Sequence, residues 1–102
     1  MFKCPCCRYD TLDDPRLNSF EICYLCWWED DGQNDHNAHI VVGGPNSDYS
    51  LLEARNNFKK HLLMFRPSDS RFREFNNDRI DEIKRNIILL LNNKKGLQTK
   101  MN

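Results

Sequence analysis

Cys4 and Cys7 enclose two residues, Cys23 and Cys26 enclose two more, and fifteen residues separate the pairs. This spacing constrains the chain more than any other feature, because it fits the two-knuckle pattern of a metal site. Two residues between sulfurs permit a tight turn that aims both at one tetrahedral ion, and leave backbone N–H groups to hydrogen-bond the thiolates. Pro5 stiffens the first turn, and the intervening residues suffice for a short hairpin that sets the second knuckle opposite the first. All four positions are sulfur, so no weak ligand leaves an open catalytic position. The reading is one structural Zn2+ held by Cys4, Cys7, Cys23 and Cys26. A thioredoxin-like redox pair would need one such motif opening a helix in a βαβ context, which argues against that rival. An iron–sulfur centre uses the same ligand type and stays open as an alternative. The fifth cysteine, Cys6, reads as a small knuckle residue able to swap in as ligand beside Cys7, against the alternative of a reactive thiol.

The chain needs such a staple. Its 102 residues are 39% hydrophobic and 29% charged, enough for one domain with a modest core. The start, Met1-Phe2-Lys3-Cys4, has no apolar secretory core, and the longest apolar run, Ile87 to Leu91, is far short of the roughly 20 residues of a membrane span. No membrane association and a cytoplasmic location are therefore expected, where reduced thiols bind metal in preference to forming disulfides. The net charge of zero hides an asymmetry: residues 1–49 carry nine acids against three bases, and residues 50–102 six acids against twelve bases. Zinc-bound thiolates would add about −2 to the first half. Such a split favours docking of the halves on each other, or two patches with opposite tastes in partners.

Turn residues punctuate the first half at Asp13-Asp14-Pro15 and Asn18-Ser19, and Ser19 to Ile22 reads as a short strand into the second cysteine pair. Residues 29–49 read as loop, with His39 to Val42 a possible short strand. Ser50 with Glu53 matches a capping box, and Leu51, Ala54, Phe58, Leu62 and Phe65 follow on one helical face until Pro67. Residues 68–76 read as a connector. A second helix is expected from near Asn77, with Asp78, Asp81 and Glu82 in its first turns and Ile80, Ile83, Ile87, Leu90 and Leu91 as its apolar face. Lys94 and Lys95 would end it, Gly96 would stop it, and the last six residues would fray. The fold expected is α+β, a single domain over 1–102. A small four-cysteine zinc ribbon with short antiparallel strands and an exposed acidic loop spans 1–42, followed by two packed antiparallel α-helices, about 50–65 and 77–93, in a helical part over 50–95.

Trp27-Trp28-Glu29-Asp30-Asp31-Gly32 is the most unusual segment. Tryptophans next to a knuckle can cover the metal; exposed beside acids, they would make a binding hot spot. The partner surface is read as Trp28, Glu29, Asp30, Asp31 and Asp35, facing a basic protein. Asp30-x-Gly32 falls short of a calcium loop. His36 and His39 near these acids could build a hydrolytic metal site, but loop histidines of this kind are ordinarily solvated, and His61 reads as helix surface. Gly43-Gly44-Pro45-Asn46 lacks the lysine of a phosphate loop and reads as a turn. Lys59, Lys60, Arg66, Arg71, Arg73, Arg79, Lys84 and Arg85 offer a nucleic-acid surface as an alternative, although interspersed acids favour a solvated helix face.

These motifs resemble the cysteine-rich CPCC family of small bacterial proteins. The likeness runs through Cys4-Pro5-Cys6-Cys7, Thr11-Leu12, Phe20-Glu21-Ile22-Cys23-Tyr24-Leu25-Cys26-Trp27-Trp28-Glu29-Asp30-Asp31-Gly32, Gly43-Gly44-Pro45-Asn46 and Ser50 to Phe58, covering roughly residues 2–62. Where the family has glycine after CPCC, this chain has Arg8. The resemblance implies a bacterial cytosolic origin and a metal-binding fold, and brings no established activity with it. Small, acidic-patched, non-enzymatic bacterial proteins of this type often act as immunity proteins or antitoxins. The expectation is a non-enzymatic zinc-binding protein-interaction module, in its sharpest form an immunity protein masking a cognate basic toxin. A nucleic-acid-binding zinc ribbon is the alternative, and a metal hydrolase or thiol redox enzyme the third reading.

Overall fold

The computed structural model describes residues 1–15 and 19–101, with the side chains of Asn77, Asp78 and residues 94–101 outside the description. The turn expected at Asn18, the dipole role of Asp78 and the capping role of Lys94 and Lys95 lie outside the described residues.

Two short strands open the chain. β1 (Phe2–Lys3) pairs antiparallel with β2 (Asp10–Leu12), Phe2 opposite Leu12 and Lys3 opposite Asp10 with an irregularity between. The first knuckle is the turn that joins them. The second knuckle is the tip of a hairpin whose arms meet at one antiparallel bridge, Ile22 to Glu29. Phe20 N–H donates to the Asp30 carbonyl at 3.0 Å and Asp30 N–H to the Glu21 carbonyl at 2.9 Å. The strand expected over Ser19 to Ile22 is thus reduced to a bridge, because Phe20 sits in the left-handed region at φ 58° and breaks the extended run. The Glu21 carboxylate ties this arm to the end of β2 by accepting the N–H groups of Asp13 and Asp14 at 2.8 and 3.1 Å.

The segment expected as an exposed acidic loop is instead pinned by buried side chains. Asn46 is 3% exposed, and its amide reads the Glu29 backbone as a neighbouring strand would. Its Oδ1 accepts from Glu29 N–H at 3.1 Å and its Nδ2 donates to the Glu29 carbonyl at 2.8 Å. Gln33, also buried, donates to the carbonyls of Asn37 and Ile40 at 2.8 and 2.7 Å. No strand forms over His39 to Val42, and Ile40, Val41 and Val42 are exposed. Gly44–Asn46 makes one 3₁₀ turn, entered through Gly43 at φ 85° and Gly44 at φ 63°, values that suit glycine.

α1 (Leu51–His61) starts where the capping motif places it, with Ser50 Oγ accepting from Glu53 N–H at 3.0 Å. Only half of the box closes, because the Glu53 carboxylate turns to Arg66 and Asn57. The helix ends four residues before its expected limit. Leu62 adopts a left-handed cap at φ 67°, its N–H on the Phe58 carbonyl at 2.8 Å, so the stop precedes Pro67. Leu63, Met64 and Phe65 then fold inward, and Met64 N–H reaches the Cys26 carbonyl at 3.0 Å.

α2 spans Ser70–Met101, so the expected start at Asn77 and the stop at Gly96 are both corrected. The Asp69 carboxylate caps its first turn by accepting from Arg71 N–H at 2.9 Å. Phe72 and Phe75 continue the stripe of Ile83, Ile87 and Leu90, so the expected connector is the first part of the helix. Gly96 costs a helix about 1 kcal/mol, which is not enough to end one. At 1.5 Å per residue the 32 residues reach about 48 Å, which matches the 45 Å long axis of the molecule. One core runs through both halves, with Leu12, Leu25, Trp28, Tyr49, Leu51, Leu63 and Ile83 each at most 2% exposed. Among the described residues no helix is long and apolar enough to cross a membrane.

Candidate metal centre

The two knuckles are built alike. In each, the N–H of the residue four after the first cysteine donates to that cysteine's carbonyl: Arg8 to Cys4 at 2.9 Å and Trp27 to Cys23 at 3.0 Å. In each, the first cysteine's N–H donates five residues ahead, Cys4 to Tyr9 and Cys23 to Trp28, both at 2.9 Å. Both turns close on a left-handed residue, Arg8 at φ 67° and Trp27 at φ 76°. Left-handed backbone is least costly for glycine, so Arg8 and Trp27 hold these positions at a conformational cost.

The turns bring four sulfurs together. Cys4, Cys7, Cys23 and Cys26 place their Sγ atoms within 4.8 Å of one another, and all four residues are buried. Cys4 and Cys26 sulfurs lie 3.6 Å apart, and those of Cys7 and Cys23 3.7 Å. A tetrahedron of sulfurs each about 2.3 Å from a central ion has edges of about 3.8 Å, so the set fits a tetrahedral thiophilic metal. The ambiguity between Cys6 and Cys7 resolves in favour of Cys7. Cys6 contributes its backbone N–H, which donates to Cys4 Sγ at 3.4 Å. Leu25 and Cys26 N–H groups donate to Cys23 Sγ at 3.3 and 3.5 Å, and Trp28 N–H to Cys26 Sγ at 3.5 Å. The Thr11 hydroxyl, buried and 3.0 Å from Cys23 Sγ, adds a donor that the ligand spacing gave no hint of.

The electrostatics are compatible with a bound cation. Hydrogen bonding with Cys23 pushes the Cys7 thiol up, and burial does the same to Cys26. Hydrogen bonds from Cys26, Cys4 and Cys7, with Thr11 behind them, pull the Cys23 thiol down. One thiolate can be solvated by the other thiols, but four cannot coexist in this buried space without a positive ion among them.

The residues read as a partner surface divide. Trp28 and Asp30 are each 1% exposed, so neither presents a contact, which corrects that expectation. They lie on the returning arm of the hairpin, and its inner side is core. Glu29 and Asp31 are half-buried beside Asn46, with Asp31 Oδ2 3.3 Å from its Nδ2. Asp35 is exposed and pairs with Arg55 at 2.7 Å and Arg8 at 3.6 Å. Trp27 is the partly exposed tryptophan, 4.6 Å from the Phe75 ring with Arg79 over it at 5.2 Å. Phe20, Ile22 and Tyr24, exposed at 53%, 51% and 43%, were not anticipated as surface. Their signal is the shortness of the hairpin: Cys23, Leu25, Cys26 and Trp28 fill its inner side and turn the alternate residues outward.

His36 and His39 are exposed, and among the described residues the cysteine set alone brings three or more metal-ligating side chains together. His61 packs edge-on against Phe72 at 5.3 Å. Two bases of the second half are engaged by nearby acids. Arg66 binds Glu53 and Asp48 at 2.7 and 2.8 Å, and Arg71 binds Asp69 at 2.8 Å.

A family model described as Cysteine-rich CPCC matches residues 2–78, past residue 62 where the motif likeness ends. No curated protein and no solved structure matches the chain.

Proposed function

The chain belongs to the cysteine-rich CPCC family, and from that premise we propose that it is a non-enzymatic protein-interaction module held in shape by one structural zinc. Zinc is the ion that best suits four buried thiolates at tetrahedral spacing with no open position. Cys4, Cys7, Cys23 and Cys26 would hold it, and its contribution is to neutralise them and lock the two knuckles together. The carrying observation for the interaction role is the trio Phe20, Ile22 and Tyr24. Each is more than two-fifths exposed, on a hairpin that the metal centre stiffens. Asp13, Asp14, Glu21 and Glu29 lie along the same hairpin and the neighbouring turn. An apolar centre with an acidic rim suits a protein partner that is apolar at its contact and basic around it. An immunity protein or antitoxin masking a basic toxin is the sharpest form of this reading, and a cytoplasmic location follows from it.

The test is affinity capture from the source cell with the wild-type chain and with an Ile22→Arg, Glu29→Lys variant, compared by quantitative mass spectrometry. One basic protein retained by the wild type and lost by the folded variant is the expected result. No protein distinguishing the two would overturn the proposal, and salt-sensitive recovery of nucleic acid by both would move the assignment to the basic helical half.

A further inference from the structure

The first knuckle and α1 line a cavity of about 420 Å³, within the range of small-molecule sites. Its floor is apolar: Tyr9 and Phe58 meet edge to face at 6.3 Å, and Leu62 closes the end. Its rim is cationic, with Arg8, Arg55 and Lys59 all lining it, and no acid does so. Arg8 comes from the acidic half of the chain, and Arg55 and Lys59 come from the basic half. Arg55 is held in place by its Nε donating to the Pro5 carbonyl at 2.9 Å and by Asp35 at 2.7 Å, which approaches from an adjoining hollow. Arg8 is only loosely engaged by Asp35, at 3.6 Å between two exposed side chains. Among the described residues no acid pairs with Lys59. A smaller hollow of about 110 Å³ shares Arg8 and Tyr9, adds Asp10, and continues to Leu90 and Leu91 of α2.

From this we propose that the cavity binds a small amphipathic carboxylate, its head between Arg8 and Lys59 and its apolar body along Tyr9 and Phe58. Charge and shape select the class. A guanidinium and an ammonium at one mouth favour an anion, and charge-assisted hydrogen bonds to a carboxylate are the stronger kind. An aromatic floor rewards a hydrocarbon body and gives nothing to inorganic phosphate. This site is independent of the hairpin surface, so either assignment can fail without the other.

The experiment is an NMR titration of the isotope-labelled, metal-loaded full chain with octanoate, with octanol, inorganic phosphate and a single-stranded oligonucleotide as comparisons. The expected result is saturable shifts of the Tyr9, Phe58 and Lys59 amides with a Kd on the order of 1 mM or tighter. Octanol should bind about tenfold more weakly or not at all, and Lys59→Glu and Arg8→Gly should each weaken octanoate about tenfold, the loss of one charge-assisted contact. Lys59 lies on α1, away from the sulfurs, and glycine at position 8 keeps the knuckle's backbone N–H and suits its φ of 67°, so the fold is retained. Absence of saturable shifts, equal binding of octanol, or undiminished binding by both variants overturns the proposal. Tighter binding of phosphate or the oligonucleotide at the same amides overturns it too and assigns the cations to phosphate.

Discussion

Tyr49→Phe probes the joint between α1 and α2 with one atom removed. The Tyr49 hydroxyl donates to Asp69 Oδ2 at 2.7 Å and accepts from Arg66 N–H at 2.9 Å, while the residue is 1% exposed. Phenylalanine keeps the buried ring, the edge contact with Phe65 at 6.0 Å and the Arg66 guanidinium stacked at 4.1 Å. What is lost is therefore the hydroxyl alone. Asp69 keeps three bonds from Arg71, so it is not orphaned, and the loss on that side is about 1 kcal/mol. Arg66 N–H has no replacement and contributes a further 1–2 kcal/mol or so. A total of about 2–3 kcal/mol corresponds to a fall in Tm of roughly 10–20 °C for a chain of this size. Urea unfolding of the metal-loaded chain measures it, and a change below about 0.5 kcal/mol would refute the assignment of the hydroxyl as the joint. A second limb has a definite sign. Burial raises the Tyr49 pKa from 10.0 to about 12. The folded state then holds a proton that the unfolded state has lost. The associated stability is complete below pH 10 and disappears as pH rises towards 12, and the Phe variant should lack that alkaline loss.

Other outcomes follow from the metal centre and its turns. Elemental mass spectrometry should find one zinc per chain, absent from Cys23→Ser together with cooperative unfolding; no metal or two metals in the wild type would contradict the closed site. Thr11→Val removes the hydroxyl 3.0 Å from Cys23 Sγ and should lower metal affinity roughly 10-fold or more in chelator competition, with circular dichroism unchanged. Arg8→Gly relieves a left-handed residue at φ 67° and should raise the urea midpoint by an amount worth up to about 1 kcal/mol, whereas a loss would mean that the Arg8 side chain contributes more than its backbone costs.

The four-cysteine cluster, the α+β class and the start of α1 were legible because each is a local rule: two-residue spacing within each pair, and a serine whose hydroxyl meets an N–H three residues on. What was not legible depends on partners distant in sequence. Glu53 completes a capping box on paper, but Arg66 offers it a bidentate ion pair at 2.7 and 2.9 Å. Trp28 and Asp30 look like surface until the hairpin closes and one side of it becomes core. The start of α2 was placed at Asn77 because acids cluster there, although Ser68-Asp69 and the Phe72, Phe75 stripe carried the earlier signal. Asn46 and Gln33 could not be anticipated as buried, since their amides replace backbone partners of a strand that never forms.

All four sulfur ligands fall between Cys4 and Cys26, whereas Tyr49, Leu51, Phe58, Leu63 and Ile83 complete the core from later in the chain. If the cysteines hold the proposed ion, then during synthesis, at about 5–20 residues per second, the knuckles could close on it several seconds before the helices leave the ribosome. The hairpin would then wait as a preformed template whose Cys26 carbonyl later receives Met64 N–H. A cell short of the metal would therefore show its deficit in this chain at birth, as failed assembly, sooner than as a loss from protein already made.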